Sequence, residues 1–377
     1  MCVENRPLRR SGIRGRITIP CRQIKSSDDL DIGLDVLPPA APNMSSQLAD
    51  AAEAGFHDAG AYDAYRPSYL PAIVDSFLSR LEVPATDAKE IRLVEIAAGT
   101  GKFTEALSRL AASSSIPWSI IAVEPHDQMR GQLAAKSLPH VTVIKGHAAA
   151  VPSVAAGWAD AVISAQAFHW FANQDALREI WRLLKPNGLV GVVWNIEDYN
   201  KPQDWPASTP WEQRVNDLVY ALGADGNARF RNCRWQAAFI EAASATPPLF
   251  SPLADDRIRW SVQLTPDALF KRLLTLSQVA NLPESDDDDD GSERPASRGA
   301  FRRRLDAIVH DVERNAAGEL TFSLTTTGLP MISLRKALGS VPSAWLPAVP
   351  FSMAQEGKGS RWRVIEELVR RQFGSER

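Results

Sequence analysis

Short apolar runs alternate with amphipathic segments through the middle of the chain. The runs are nearly continuous rather than alternating, which is typical of parallel strands covered on both faces. Repeated β-α units of this kind predict an α/β fold with a doubly wound, mostly parallel sheet. The predicted strands span residues 91–96, 118–123, 140–144, 159–164 and 189–194, and helices fit between them at 102–112, 127–136 and 173–184.

The pattern changes after residue 194. Residues 195–256 are rich in Trp, Pro and Asp and contain one helical stretch near 211–222. A strand with one exposed face is predicted next, because four apolar residues alternate with polar ones: Ile258, Trp260, Val262 and Leu264. Thr265-Pro266 marks a helix start, since Thr is a good N-cap and Pro fits the first turn. A further helix is predicted over 301–312 and a last strand over 319–327.

These patterns divide the chain into a central domain and two extensions. Residues 1–43 are Arg-rich and then Pro-rich, and we expect a disordered extension or untranslated sequence before Met44; a mitochondrial transit peptide is the alternative. The domain covers 47–337 and is followed by a C-terminal extension over 339–377. Within the domain we distinguish a core at 91–195, a lid or substrate segment at 195–280 and a solvated acidic loop at 283–299.

Composition narrows the classes of partner. The 42 Lys plus Arg and 45 Asp plus Glu give a net charge of -3, which provides no general attraction for nucleic acid. No apolar run approaches the length of about 18 residues that a membrane helix needs. Cys2, Cys21 and Cys233 lack metal-ligand spacing. We therefore expect a cytoplasmic protein with a small-molecule substrate and no nucleic-acid, membrane or metal partner, and the oligomeric state stays open.

Two acidic residues identify the candidate ligand site. A strand runs into a loop of small residues that opens a helix over residues 94–104, an arrangement that accommodates a nucleotide-like ligand. Glu95 ends this strand, and Glu124 ends the next, where a carboxylate accepts hydrogen bonds from ribose hydroxyls. A dinucleotide site needs no acid at Glu95, and Thr104 stands where its third glycine would fall. A ligand with an amino-acid end, S-adenosylmethionine, suits both acids better.

Several segments together resemble one enzyme family. They are Ala-Tyr-Asp-Ala-Tyr-Arg-Pro-Ser-Tyr at 61–69, Glu-Ile-Ala-Ala-Gly-Thr-Gly at 95–101, Val-Glu-Pro at 123–125, Gln-Ala-Phe-His-Trp-Phe at 166–171 and Leu-Lys-Pro-Asn-Gly at 184–188, followed by Val-Trp-Asn at 193–195. Over 47–337 the chain resembles the class I S-adenosylmethionine-dependent methyltransferases, in particular the small-molecule branch of trans-aconitate methyltransferase-like, type 11 proteins. The resemblance implies a Rossmann-like, seven-stranded sheet with a terminal antiparallel strand pair and a helical lid insertion.

The resemblance also implies which residues bind the cofactor. They are Glu95, Ala97, Gly99 and Gly101 for the methionyl end, Glu124 for the ribose, Pro125, His126, His147 and Ala148 for the adenine, Gln166 and Ala167 at the methyl-transfer site, and Tyr62 and Tyr65 as a cover. Three positions depart from the family pattern: Ala97 replaces a glycine, and His147 and Ala149 replace acidic or small polar residues. Ala97 is tolerated if its φ is negative and strained if its φ is positive.

The substrate side carries aromatic and basic residues. Aromatic faces attract a sulfonium, so Phe168, Trp170 and Trp194 are interpreted as a pocket wall, with core packing as the alternative for Phe168 and Trp170. His169 is the candidate general base, although a hydrogen-bonded structural or pocket-lining role is favoured over it. Arg66 would bind an acidic substrate, or else pair with a carboxylate on the protein surface.

These residues predict O-methylation of a carboxylate or hydroxyl of a metabolite, as in secondary metabolism. The alternative is a methyltransferase-fold protein that transfers no methyl group and has a regulatory role or uses the cofactor to shape a pocket for another reaction. A nicotinamide oxidoreductase is disfavoured by Glu95 and Thr104. Methylation of nucleic-acid bases is disfavoured because residues 166–170 lack the Asn/Asp-Pro-Pro-aromatic sequence and the chain lacks a basic stripe.

Overall fold

A computed structural model describes residues 59–84, 88–224, 228–244, 250, 256–285 and 291–332. The extensions predicted at 1–43 and 339–377 lie outside these residues, as does the stretch 286–290 of the acidic loop.

One seven-stranded sheet forms the centre of the protein, in the order β3-β2-β1-β4-β5-β7-β6. The first five strands are parallel, and β7 is antiparallel to both β5 and β6. This confirms the predicted doubly wound sheet with its terminal antiparallel pair. The strands are β1 (Ile91–Ile96), β2 (Trp118–Val123), β3 (Val141–Ile144), β4 (Ala159–Ala165), β5 (Leu184–Glu197), β6 (Asp256–Leu264) and β7 (Leu320–Ile332).

Helices cover both faces of the sheet. They are α1 (Ala59–Tyr65), α2 (Pro71–Arg80), α3 (Lys102–Ser113), α4 (Asp127–Ala135), α5 (Gln174–Leu183), α6 (Pro210–Ala221), α7 (Gln236–Ser244), α8 (Pro266–Leu273), α9 (Ser277–Ala280) and α10 (Arg298–Val309). Thr265 caps α8 as predicted, because its side chain accepts a hydrogen bond from the backbone N–H of Ala268. The helix after β4 ends as expected, but β5 begins directly at Leu184, five residues before the predicted strand.

Three apolar clusters hold the layers together. On one face, Phe77 of α2 and Leu107 of α3 pack against Leu93 of β1. On the other face, α5 and α7 pack against Val94 and its neighbours, so that successive residues of β1 serve opposite faces. The third cluster joins α6, α8 and α10 to β6 and β7. Each fully buried Leu or Phe contributes about 1.5–3 kcal/mol, so this burial fixes the strand ends that carry the site.

Four helices were not foreseen from the sequence: α1, α2, α7 and α9. Helix α7 carries apolar residues on several sides, and Phe239 is buried while its neighbour Ile240 is 40% exposed. Such a segment has no clear polar face, so its period does not identify it as a helix.

The described residues contain neither a helix that could span a membrane nor a cluster of metal-binding side chains. No helix there is long and apolar enough to cross a membrane. No group of three or more His, Cys, Asp or Glu side chains there could hold a metal ion.

Candidate active site

A cavity of about 680 Å³ opens at the carboxyl ends of the parallel strands. It lies where the strand order reverses, between β1 with its neighbour β2 on one side and β4 on the other. Loops leaving neighbouring strands diverge at such a point and leave a crevice, which is where open α/β sheets bind ligands. The volume falls within the range of small-molecule sites, about 300–1,000 Å³.

The loop between β1 and α3 has three residues in the left-handed region. Ala97 has φ +56°, Gly99 has φ +59° and Gly101 has φ +85°. A side chain at Gly101 would collide with Leu133 as well, so glycine is required there on two grounds. The positive φ of Ala97 is the strained case that the sequence identified, and such a conformation costs about 1–3 kcal/mol.

Glu124 connects this loop to the end of β2. Its Oε2 accepts a hydrogen bond from the Gly99 N–H at 2.7 Å, and its Oε1 accepts one from the His126 N–H at 2.8 Å. Burial raises the pKa of Glu124, and the two backbone donors partly offset that effect. Each carboxylate oxygen has further acceptor capacity, so Glu124 holds the loop and still offers lone pairs to the hydroxyls of a ligand.

Glu95 lies beneath the loop and faces the same cavity. Only 1% of it is exposed, and its Oε2 accepts a hydrogen bond from the Thr104 hydroxyl at 2.7 Å. Burial raises the pKa of Glu95 to about 8, and the nearby charge of Glu124 also raises it. Glu95 is therefore largely protonated near neutral pH, and a cation placed beside it would ionise it.

Small and imidazole-bearing residues form the wall beyond Glu124. Pro125, His126, His147, Ala148 and Ala149 all line the cavity. His126 caps α4, because its Nδ1 accepts a hydrogen bond from a backbone N–H of that helix at 3.3 Å. These are the positions predicted for the adenine, together with the two departures at His147 and Ala149.

The cavity fits the cofactor predicted from the sequence. A Cβ atom built at Gly99 would lie 3.7 Å from the Met129 Sδ and meet nothing closer, so the loop backbone is accessible from the cavity. One end presents the carboxyl of Glu95 to an ammonium group, and Glu124 presents acceptors to a ribose diol. Gln166 also lines the cavity, with φ +61°, and its side-chain amide donates to the Asn195 carbonyl at 2.7 Å.

Helix α1 and the segment after it cover the cavity from the N-terminal side. Tyr62 lines the cavity, whereas Tyr65 does not. Arg66 lies over the Tyr62 ring at 5.6 Å and pairs with the buried Glu197 at 3.4 Å. Two buried polar atoms of lining residues, Arg66 Nε and the Tyr69 hydroxyl, have no hydrogen-bond partner among the described residues. Arg66 therefore lines the cavity and pairs with a carboxylate as predicted, but that carboxylate is buried and not on the surface, and substrate binding by Arg66 stays a prediction.

Two of the residues predicted as a pocket wall lie in the core instead. Phe168 is fully buried and stacks on Phe239, with ring centroids 4.5 Å apart. Trp194 is also fully buried, packed against Trp235 at 4.8 Å. The core-packing alternative is correct for Phe168 and the pocket-wall prediction is wrong for Trp194, because both side chains belong to the apolar cluster between the sheet and α7. Trp170 does line the cavity.

His169 lines the cavity from the short 3-10 segment Phe168–Trp170, directly after β4. Its Nδ1 accepts a hydrogen bond from the Trp194 indole N–H at 3.1 Å. Burial, together with the positive charges of Arg229 and Arg66, lowers the pKa of His169 to about 3. A neutral imidazole with such a pKa is a weak base near neutral pH, which argues against the predicted catalytic role.

Sequence reasoning missed the basic residues of the lid that line the cavity, Arg229 and Arg234. Arg229 donates to the Ser277 hydroxyl at 2.8 Å and lies near His169, as its effect on that pKa shows. Phe230 and Trp235 line the same side. The available signal was the position of these residues in a Trp-rich lid segment, which indicates a pocket but does not tell which residues face it.

Comparisons with known proteins match this chain to methyltransferases. A family described as a methyltransferase domain matches residues 94–192. An uncharacterized methyltransferase-like protein of Schizosaccharomyces pombe is 33% identical over 229 residues, which is 61% of this chain and 79% of that protein. An uncharacterized methyltransferase of Mycobacterium bovis is 29% identical over 224 residues, 59% of this chain and 76% of that protein. Among solved structures, geranyl diphosphate C-methyltransferase from Streptomyces coelicolor aligns with 12% identity and a TM-score of 0.35, over 70% of this chain and 78% of that one.

Proposed function

The chain belongs to the class I S-adenosylmethionine-dependent methyltransferases, and from this membership we propose that it O-methylates a small molecule at a carboxylate. S-adenosylmethionine is the cofactor. The substrate class, the acceptor oxygen, a place in secondary metabolism and a cytoplasmic location are parts of the proposal, as is the choice of a small molecule over nucleic acid.

The observation that carries the choice of substrate is the basic wall opposite the cofactor loop. Arg229 and Arg234 line the cavity, and Arg66 contributes a third, partly buried guanidinium whose Nε has no hydrogen-bond partner among the described residues. Guanidinium groups favour carboxylates because two N–H donors match two oxygens. Glu197 offsets part of the Arg66 charge, so we assign the main recognition to Arg229.

A carboxylate also suits the chemistry available to these residues. When bound, S-adenosylmethionine supplies a methyl group that its sulfonium has already activated for displacement. A carboxylate oxygen is an anion and has no proton to lose, whereas a hydroxyl would need a base. Because His169 has a pKa of about 3, the side chain predicted as that base is poorly suited to the task. The protein's part is then to orient the acceptor and exclude water.

The remaining residues hold the cofactor in the proposed mechanism. Glu95 would pair with the ammonium group, and Glu124 would accept from the ribose hydroxyls while fixing Gly99. Tyr62 and Trp170 place aromatic faces on the cavity, where they favour a positive sulfur.

The first experiment is calorimetric titration with S-adenosylhomocysteine, using Glu124→Ala and a nicotinamide dinucleotide as comparisons. Saturable binding by the wild type, lost in Glu124→Ala and absent with the dinucleotide, supports the cofactor site. A panel of carboxylic acids and matched alcohols is then incubated with S-adenosylmethionine and searched by mass spectrometry for methyl esters and ethers. Ether formation with no ester would overturn the choice of a carboxylate.

Arg229→Gln tests the recognition step. We expect the KM for the carboxylate to rise by about 10- to 100-fold, the value of a hydrogen bond to a charged group, with S-adenosylhomocysteine affinity unchanged. Arg259→Gln is the matched control, because Arg259 is exposed on β6 and does not line the cavity. Equal effects of the two substitutions would contradict a role for Arg229.

A second candidate, a methyltransferase fold without methyl transfer, is favoured by the strain at Ala97. Binding of S-adenosylhomocysteine without turnover of any panel member would support it.

A further inference from the structure

The contact between His169 and Trp194 restricts the protonation state of the histidine ring. An indole N–H can only donate, so the His169 Nδ1 that lies 3.1 Å from the Trp194 Nε1 has to be the acceptor. A neutral imidazole carries one proton, and with Nδ1 as acceptor that proton is on Nε2. The ring therefore presents a donor, and not a lone pair, on its other nitrogen.

Trp194 is held firmly enough to impose this state. It is fully buried on β5, where Trp194 pairs with Thr327 of β7. Its ring packs against Phe230 at 5.0 Å and Trp235 at 4.8 Å, so the indole has no room to turn its N–H elsewhere. Trp194, which was predicted to be part of the pocket wall, thus affects the cavity through its hydrogen bond to His169.

The surroundings of His169 also disfavour a second proton. Burial and the guanidinium groups of Arg229 and Arg66 lower the pKa of His169 to about 3. Asp175 and Arg234 are the other charged residues on this side of the cavity lining. His169 is consequently neutral through the physiological range, and its single proton stays on Nε2.

We propose that His169 is a positioning residue that donates its Nε2–H to an oxygen of the methyl acceptor, with Trp194 selecting the tautomer that makes this possible. The identity of the methyl acceptor rests on the proposed function, whereas the tautomer of His169 does not. A carboxylate has two oxygens, so one can accept from His169 and from Arg229 while the other attacks the methyl carbon. The C–O bond forms as the bond from that carbon to the sulfonium breaks, and its electron pair stays on sulfur as a neutral thioether. No proton changes place at His169 in this arrangement.

The tautomer is measured directly by long-range ¹H–¹⁵N correlation spectra of the full chain with ¹⁵N-labelled histidine and added S-adenosylhomocysteine. The His169 signals are identified by their loss in His169→Gln. We expect the Nε2–H pattern, unchanged between about pH 5 and about pH 8. An Nδ1–H pattern, or protonation of the ring within that range, would overturn the proposal.

Trp194→Phe removes the donor while keeping an aromatic ring. We expect the His169 signals to shift toward a mixture of tautomers. Trp235→Phe is the control, since its indole N–H lies in the same cluster but donates to the Phe230 carbonyl at 3.1 Å. Retention of the Nε2–H pattern in Trp194→Phe would mean that Trp194 does not select the tautomer.

Kinetics separate positioning from general-base catalysis. His169→Leu, which removes the donor, is expected to raise the KM for the acceptor by about 10- to 100-fold with a smaller change in kcat. His169→Gln keeps an N–H at a similar reach and is expected to raise KM far less. A base would instead show an equal loss of kcat in both variants and an acid limb in the wild-type pH profile. If the wild type binds no S-adenosylhomocysteine the proposed function fails, while the tautomer spectrum still decides this inference.

Discussion

Ala97 adopts a left-handed backbone conformation that a residue with a side chain disfavours. Its φ of +56° lies in the left-handed region beside two glycines that adopt the same sign. A methyl group is the smallest side chain that meets this strain, and Ala97 lines the cavity while packing against the adjacent apolar cluster. Alanine in place of glycine therefore adds strain energy at this one residue, and the loop still forms.

This interpretation predicts a contrast between two substitutions. Ala97→Gly relieves the strain at the expense of a more flexible unfolded chain, so stability should stay unchanged or rise by up to about 1 kcal/mol. Ala97→Val places a β-branched residue at positive φ and should cost about 1–3 kcal/mol. Chemical denaturation of the three proteins measures the difference. A destabilised Ala97→Gly variant would show that Ala97 is not strained.

The raised pKa of Glu95 couples the proposed binding of the cofactor to the release of a proton. Its pKa is about 8 in the folded chain against 4.5 in the unfolded chain, so the folded state holds the extra proton between these values. The stabilisation from this proton is complete below about pH 4.5 and is lost as pH rises through about 8. An ammonium group beside Glu95 reverses the preference and expels the proton.

We therefore predict that binding of S-adenosylhomocysteine near pH 7 releases up to about one proton. Calorimetric titration in two buffers with different heats of ionisation measures the number. Glu95→Gln, which cannot ionise, should bind more weakly and release none. Binding of the wild type with the same heat in both buffers would rule out ionisation of Glu95.

At the scale of elements, α1 is attached to the cofactor loop by side chains. Asp63 of α1 accepts hydrogen bonds from the Thr100 hydroxyl at 2.6 Å and from the Lys136 ammonium at 2.9 Å. These contacts bring Tyr62 of the same helix over the cavity. Helix α1 thus covers the cavity, because one carboxylate joins it to the loop and to the end of α4.

Asp63→Ala should loosen this cover without unfolding the domain. Because the contacts are partly exposed, we expect a loss of about 1 kcal/mol in binding, or roughly a fivefold faster dissociation of S-adenosylhomocysteine. Glu105→Ala is the control, since Glu105 pairs with the same Lys136 at 3.6 Å but belongs to α3. Stopped-flow dissociation should separate the two variants, and equal rates would contradict attachment of α1 through Asp63.

The elements also show where sequence reasoning succeeds. The strands β1 and β2 have the predicted bounds because a strand covered on both faces is apolar throughout, and few alternatives share that pattern. Glu95 and Glu124 were predicted because they stand at the carboxyl ends of such strands. Arg229 and the pairing of Trp194 with His169 were not, since both depend on how the lid packs across the sheet. Apolar residues at the carboxyl end of a strand look alike whether they face a ligand or the core.

For the whole molecule, core and lid share one apolar cluster. It includes Val94 of β1 and Ile180 of α5 together with Phe239 of α7 and Phe230 of the lid. The cavity wall is therefore continuous with the core that supports the cofactor loop. Elements that share a packed interior are expected to unfold together, since neither keeps its buried surface without the other.

Phe239→Ala tests this cooperativity. Removing a buried phenylalanine that stacks on Phe168 should lower the free energy of unfolding by about 3–5 kcal/mol. Ile240→Ala, next to it in α7 but 40% exposed, should change it by less than about 0.5 kcal/mol. Circular dichroism, which reports the whole fold, and tryptophan fluorescence, which reports the surroundings of Trp residues in both the lid and the core, should give coincident transitions for each protein. If Phe239→Ala moved the fluorescence transition alone, the lid would be a separate unfolding unit and the cavity wall would not depend on the core.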